Sequence, residues 1–238
     1  MLGCAGSSYD EVLRIPCSSY LIESDEAALL LDCGFGSFES YSLLSPDTLL
    51  DAIFVSHAHA DHSADVEAFL GSTEVWRDQP RLLASKQTMA HIVQDPDPAL
   101  RGALVLASER TRLKLPNLAV EFSVTTHQMP TLAACVSMGG RRVTYCADTG
   151  PTWSVPSSFM GSDLAIVECT LETREVGGSQ FHLDAREAGT LARELSANQT
   201  LITHVPPQES GESRLTIARS VVPNQILLLA VTGVQVGL

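Results

Sequence analysis

Apolar positions along the chain gather into blocks of four to seven residues, set apart by polar, glycine- and proline-containing stretches. The blocks AALLLD (27–32), AIFVS (52–56), LAVEFSV (118–124), RRVTYCA (141–147), LAIVE (164–168), TLIT (200–203) and ILLLAV (226–231) have strand length and strand composition. Between them the apolar spacing turns helical, in ADVEAFL (64–70), KQTMAHIVQ (86–94), AREAGTLARELS (185–196) and SRLTIARSVV (213–222). Within SMGGRR (137–142), Gly139-Gly140 supplies the positive φ angles of a hairpin turn. Early hairpins followed by strand–helix alternation predict an α/β (α+β) chain with sheets covered by helices, rather than a purely parallel doubly wound sheet. No internal repeat, low-complexity tract or linker interrupts the pattern, so residues 1–238 are expected to form one domain.

Composition narrows this further. A chain of 238 residues with 45% hydrophobic content can bury a sizeable core. No apolar run approaches the roughly 18 residues a membrane span needs, and MLGCAGSSYDEV lacks the basic and apolar regions of a signal peptide. The expected location is the cytoplasm, without membrane association. Cysteines 4, 17, 33, 135, 146 and 169 form no CxxC pair and read as small buried apolar residues. The net charge of -13 disfavours long nucleic acids and favours a small substrate. Bound metal ions can still make a site locally positive, which keeps an anionic small molecule among the expected partners.

The stretch FVSHAHADHSAD (54–65) crowds His57, His59, Asp61 and His62 behind a strand block. Neutral imidazoles and carboxylates are ligands for zinc, iron or manganese, and a strand end delivers them to a sheet edge. His57 and His59 share one side of an extended segment. Asp61 and His62 can reach a second place as the chain turns, so two metals at the ~3.5–4 Å spacing of hydrolytic centres are expected. His127 in VTTHQMP, Asp148 in TYCADTG and His204 in LITHVPP each close a strand block, stopped by Pro130, Thr149-Gly150 and Pro206-Pro207. His91 lies inside a helical pattern and reads as structural. His182 stands two residues before Asp184, which with Glu187 forms a capping-box pattern. A place beside a helix N-terminus suits a group that handles phosphate, the alternative being a packed loop histidine.

The motif His57-x-His59-x-Asp61-His62, followed in order by His127, Asp148 and His204, resembles the metallo-β-lactamase-fold hydrolases. That resemblance implies an αββα sandwich with the metals at one edge of the paired sheets. It implies one divalent metal ion on His57, His59 and His127, a second on Asp61, His62 and His204, and Asp148 bridging them. Zinc is the expected metal, with manganese or iron as alternatives. That resemblance runs from LGCAGS (2–7) to the C-terminal strands, and the segments LLLDCG (29–34), CADTG (146–150), FHLDAREAG (181–189) and LITHVPP (201–207) are similar to the ribonuclease Z-like branch. By that likeness Asp32 orients a metal ligand, His182, Asp61 and Asp148 are the catalytic residues, and His182 protonates the leaving oxygen.

The bridging aspartate argues for phosphodiesters, because lactam-opening members commonly carry cysteine at the second metal. The interval from His127 to Asp148 is too short for the tRNA-clasping arm of many ribonuclease Z proteins. Asp65 stands where ribonuclease Z usually has glycine, and with THVPP it is similar to a bacterial branch described as cyclic-nucleotide phosphodiesterases. The expected function is metal-dependent hydrolysis of a small phosphodiester such as a cyclic nucleotide. Ser63 and Thr149 read as hydrogen-bonding support, since no GxSxG elbow exists. The alternatives are a lactone or ester hydrolase of the same fold, a tRNA 3′-end endonuclease, or a metal-binding module without turnover. Ribonuclease Z relatives are often dimers, so a homodimer is an expectation as well.

Overall fold

The computed structural model describes residues 1–6, 15–93, 102–109, 111–115 and 117–238. Ser7 of the segment 2–7 and Gln94 of the expected helix 86–94 lie outside the described residues. Strands β1 (Tyr20–Glu23) and β2 (Ala28–Leu31) form an antiparallel hairpin. To it β3 (Ala52–Val55), β4 (Leu82–Ala84) and β5 (Leu104–Leu106) add in parallel, giving a sheet in chain order. The second sheet begins as an antiparallel meander of β6 (Arg112–Leu115), β7 (Leu118–Val124), β8 (Leu132–Met138) and β9 (Arg141–Tyr145). It continues in parallel through β10 (Leu164–Glu168), β11 (Gln199–Thr203) and β12 (Ile226–Leu229). The β8–β9 turn is the expected one, with Gly139 at φ 57° and Gly140 at φ 77°.

Alternation along the strands sorts the apolar residues into layers. Leu29, Leu31 and Phe54 of the first sheet meet Val120, Val136, Ile166 and Leu201 of the second in the central core. Their neighbours Leu30, Ile53 and Val55 point the other way, onto Tyr41, Phe69 and Met89. Those three come from helices α1 (Ser37–Leu44), α3 (Val66–Gly71) and α4 (Lys86–Ile92). Ala165, Val167 and Ile202 pack against Leu191, Leu195 and Leu215 of α5 (Ala185–Leu195) and α6 (Gly211–Val221). The order helix, sheet, sheet, helix is the expected αββα sandwich. It explains why β2, β3 and β10 are buried at every position and read as continuous apolar runs.

The expected helix at 64–70 differs in detail: the chain first makes a single turn, α2 (Ala60–Ser63), and resumes as α3 after Asp65 at φ −94° and ψ 7°. All six cysteines are free, and all but Cys4 are buried, as expected of small apolar residues. No helix among the described residues is long and apolar enough to cross a membrane.

Candidate metal centre

The ends of β2, β3, β7, β9, β10 and β11 open onto one edge of the sandwich, and each hands over a polar residue there. Asp32 follows β2, His57 and His59 follow β3, and His127 follows β7. Asp148 comes after β9, Glu168 ends β10, and His204 comes directly after β11. The backbone bends sharply at three of these exits, with Asp32 at φ 58°, Ala147 at φ 53° and His204 at φ 60°. Left-handed conformations are uncommon outside glycine, although Asp and His adopt them more readily than Ala, and they persist where surrounding structure enforces them. The enforcement is visible at two glycines that admit close approach. A Cβ on Gly6 would lie 2.5 Å from His204 Nδ1, and one on Gly34 would lie 2.1 Å from the Asp61 carbonyl oxygen.

Donor atoms of His57, His59, His127 and Asp148 lie within 4.8 Å of one another, and so do those of Asp61, His62 and His204. In the first set His59 Nδ1 is 3.0 Å from His57 Nε2 and 3.3 Å from His127 Nε2. Asp148 Oδ2 faces His57 Nε2 at 3.6 Å and His127 Nε2 at 3.8 Å. In the second set His62 Nε2 is 3.0 Å from His204 Nε2, which is 3.2 Å from Asp61 Oδ2. Asp148 Oδ1 lies 3.3 Å from both His62 Nε2 and His204 Nε2. The two oxygens of one carboxylate therefore address different donor sets. Nitrogens sharing a tetrahedral zinc with bonds of ~2.0–2.1 Å stand about 3.3 Å apart, close to the spacing here. Asp148 Oδ1 is buried and accepts no hydrogen bond, an orphaned oxygen that fits a divalent cation in this pocket.

The ring nitrogens turned away from these sets are held in place. His57 Nδ1 meets Ser56 Oγ at 3.0 Å, His62 Nδ1 meets Asp32 Oδ2 at 2.7 Å, and His127 Nδ1 donates to the Phe181 carbonyl at 2.9 Å. His204 Nδ1 meets Thr170 Oγ1 at 2.8 Å. Such partners fix tautomer and ring orientation in metal sites. Burial holds His57, His59 and His127 below the usual imidazole pKa, which keeps their lone pairs free. Burial opposes a charge on His62 too, yet Asp148, Asp61 and Asp32 raise it well above that value. For Asp148 and Asp61 burial also opposes ionisation, and the nearby imidazoles, His204 and His62 foremost, outweigh it and keep both carboxyls low. Three carboxylates thus call for positive charge among the imidazoles.

His182 joins the edge of this cluster. Its Nδ1 lies 3.0 Å from Glu168 Oε1 and 3.9 Å from Asp148 Oδ2. Burial lowers its pKa, but the Glu168 hydrogen bond and the charges of Glu168 and Asp148 raise it overall. The expected capping box is present, with Asp184 accepting from Arg186 N–H and Glu187 N–H. This corrects the idea that the helix N-terminus is open to phosphate, because those N–H groups bind the chain's own carboxylate. His91 stays on α4, away from the site, with Nδ1 on the Gln87 carbonyl. Ser63 Oγ donates to the His59 carbonyl at 3.0 Å, and Thr149 N–H donates to Glu168 Oε1 at 3.2 Å, both as support. Asp65 accepts from Phe38 N–H at 2.9 Å and fixes the start of α1.

Sequence reasoning missed Glu168, Thr170, Tyr145 and Arg214. Glu168 Oε2 accepts from Thr170 Oγ1 at 2.7 Å, and Tyr145 OH donates to Asp32 Oδ2 at 2.5 Å. Arg214, on α6, is fully buried and donates from Nε to the Cys169 carbonyl and from Nη2 to the Thr170 carbonyl, each at 3.1 Å. The signal for Glu168 was its place at the end of an apolar block, the same signal that marked His127, Asp148 and His204.

Residues 28–205 match the family profile of a β-lactamase superfamily domain. The probable metallo-hydrolase YhfI of Bacillus subtilis is 29% identical over 207 residues, which cover 79% of this chain and 80% of that protein. Its crystal structure, described as a metallo-β-lactamase fold protein, superposes with a TM-score of 0.82 over 98% of this chain and 96% of that one. A ribonuclease Z of Saccharolobus islandicus is 22% identical, with 95% of this chain and 94% of that protein covered. A diphosphatase of the PhnP family shares the fold with a TM-score of 0.72 at 17% identity, covering 100% of this chain and 96% of that one.

Proposed function

The chain belongs to the β-lactamase superfamily as a metallo-hydrolase, and we propose that it is a single-domain, dinuclear phosphodiesterase acting on a small anionic phosphodiester such as a cyclic nucleotide. The observation that carries this reading is Asp148, whose Oδ2 sits among His57, His59 and His127 while Oδ1 sits between His62 and His204. In the proposal His57, His59 and His127 would hold one ion and Asp61, His62 and His204 the other, with Asp148 a ligand available to each. Divalent metal ions held there would supply Lewis acidity toward phosphoryl oxygens and lower the pKa of water to about 7. The chain's own residues do the rest. Ser56, Asp32, Phe181 and Thr170 hold the imidazoles in orientation through the nitrogens that do not face the pocket. His182 gives its proton to the leaving oxygen, and Glu168 keeps that proton on the ring until it is needed.

Relatives described as a ribonuclease Z and a diphosphatase support phosphate chemistry over lactone opening. The net charge of -13 supports a small substrate over RNA. The test loads the protein with zinc or manganese, measures metal by elemental analysis, and offers bis-p-nitrophenyl phosphate, cyclic AMP and an acyl lactone. Close to two metals per chain and cleavage of both phosphodiesters are expected. Lactone opening alone would overturn the substrate class, and retained metal with no turnover would identify a binding module.

A further inference from the structure

Arg214 shares the buried side of α6 with Leu215 and Ala218 and is itself fully buried. Taking a charge out of water is costly unless partners compensate it, and an apolar side chain of similar size would fill the same space without that cost. The partners are the Glu209 carboxylate, the Ser210 carbonyl at 3.2 Å from Nη1, and two carbonyls outside the helix. Those two belong to consecutive residues of the turn after β10: Nε donates to Cys169 and Nη2 to Thr170. They lie on the two peptide groups that flank the Thr170 Cα. A guanidinium offers its N–H groups in a rigid planar fork. Holding both peptides with one fork therefore sets the direction in which the Thr170 side chain leaves the backbone.

That side chain meets three groups of the centre. Thr170 Oγ1 lies 2.7 Å from Glu168 Oε2, 2.8 Å from His204 Nδ1 and 3.2 Å from His182 Nδ1. The two imidazole rings stack at 18°, with centroids 5.7 Å apart. A hydroxyl has one proton to give, and a carboxylate oxygen only accepts. The Thr170 proton thus goes to Glu168, and toward His204 the hydroxyl oxygen accepts. A neutral His204 must then carry its hydrogen on Nδ1. The bare nitrogen is Nε2, the atom that stands 3.0 Å from His62 Nε2 and 3.2 Å from Asp61 Oδ2.

We infer that Arg214 is a positioning residue of the second donor set: its grip on the Cys169 and Thr170 carbonyls aims the Thr170 hydroxyl, and that hydroxyl commits His204 Nε2 to a metal ion. For the ion itself this rests on the dinuclear reading of the site. The first donor set takes its orientation elsewhere, from Ser56 on His57 and the Phe181 carbonyl on His127. The influence of Arg214 is accordingly confined to one ion of the two.

The test weighs ions and does not depend on turnover. Zinc is titrated into metal-free protein against a competing chelator and scored per folded chain, and the wild type is expected to bind two ions. His204→Ala gives the reference for a chain that keeps only the first. Arg214→Lys retains the positive charge but replaces the fork with a single ammonium, and Arg214→Gln reaches one carbonyl without the charge. Each should weaken the second ion about 10- to 100-fold, the usual cost of losing an outer partner, and leave the first at its wild-type affinity. Thr170→Val should do the same, whereas Thr170→Ser keeps the hydroxyl and should retain the second ion. Because the arginine acts through that hydroxyl, adding Arg214→Lys to Thr170→Val should cost no more than about a further twofold. Equal weakening of both ions, wild-type affinities in the Arg214 variants, or losses that add in the double variant would overturn the inference and leave the dinuclear reading standing. A wild type that binds fewer than two ions would overturn that reading and the inference with it.

Discussion

The Nδ1 atom of His62 lies 2.7 Å from Oδ2 of Asp32, and both side chains are fully buried. Asp32 also accepts from Ser56 N–H at 2.6 Å and from Tyr145 OH at 2.5 Å, so one carboxylate ties together β2, β3 and β9 behind the metal pocket. Asp32→Asn keeps a residue type that tolerates the left-handed backbone here but weakens the grip on His62. Metal affinity is expected to fall about 10- to 100-fold, the usual cost of losing such a partner. Titration with zinc under a competing chelator measures it, and an unchanged affinity would show that Asp32 only braces the fold.

Asp148 is the residue on which both donor sets depend. Asp148→Ala should suppress turnover by more than the ~10–100-fold seen for outer partners, while the melting temperature moves little. Elemental analysis should find fewer metals per chain than in the wild type. Full activity in this variant would reduce Asp148 to a turn residue.

His182 carries a pH signature. Its pKa is raised above the ordinary 6.5 despite burial, through Glu168 and Asp148. The protonated, donating form therefore persists above pH 6.5, and the rate with an alkoxide leaving group should decline as pH rises through the raised pKa. Glu168→Gln removes the charge that raises it and should move the decline to lower pH. His182→Ala should lose ~10²–10⁴-fold with an alkoxide leaving group and far less with nitrophenolate. Equal losses on both leaving groups would argue against proton donation.

Precursor tRNA should not be trimmed. Between His127 and Asp148 the chain forms only the β8–β9 hairpin, with no protruding arm to grip an RNA. Rates on a small phosphodiester should respond weakly to salt, whereas a protein gripping several phosphates loses affinity steeply. Efficient 3′-end processing at physiological salt would refute this.

The site was largely legible in the sequence because its residues obey one rule, a polar side chain where a buried strand stops. His57, His127, Asp148 and His204 each follow an apolar block, the last three ahead of proline or glycine turns, and the structure brings all four together. Glu168 obeys the same rule but sits inside the block LAIVE, where a final Glu looks like the first solvated residue. Arg214 was invisible for a different reason: on an amphipathic helix a lone arginine reads as solvent-facing, whereas this one turns inward to two carbonyls. The strands β4 and β5 have three residues each, too few for a periodic signal. Helix α1, SFESYSLL, shows no apolar stripe and starts from Gly36 without a side-chain cap. Strand β8 is buried on nearly all positions, so LAACVSM offers no alternation to read.

Cys4 and Gly6 hold the far end of the centre, for the Cys4 carbonyl accepts from His204 N–H at 3.1 Å and Gly6 N–H donates to the Val205 carbonyl at 3.2 Å. The neighbouring bond from Thr203 Oγ1 to the Cys4 carbonyl spans 199 positions of chain. Closing a loop of such length costs more chain entropy than closing a short one. The HxHxDH segment is local, whereas the second donor set also draws on His204. The Asp61, His62 and His204 set is thus complete only in a chain whose two ends have met, so its geometry depends on closure of the whole sandwich.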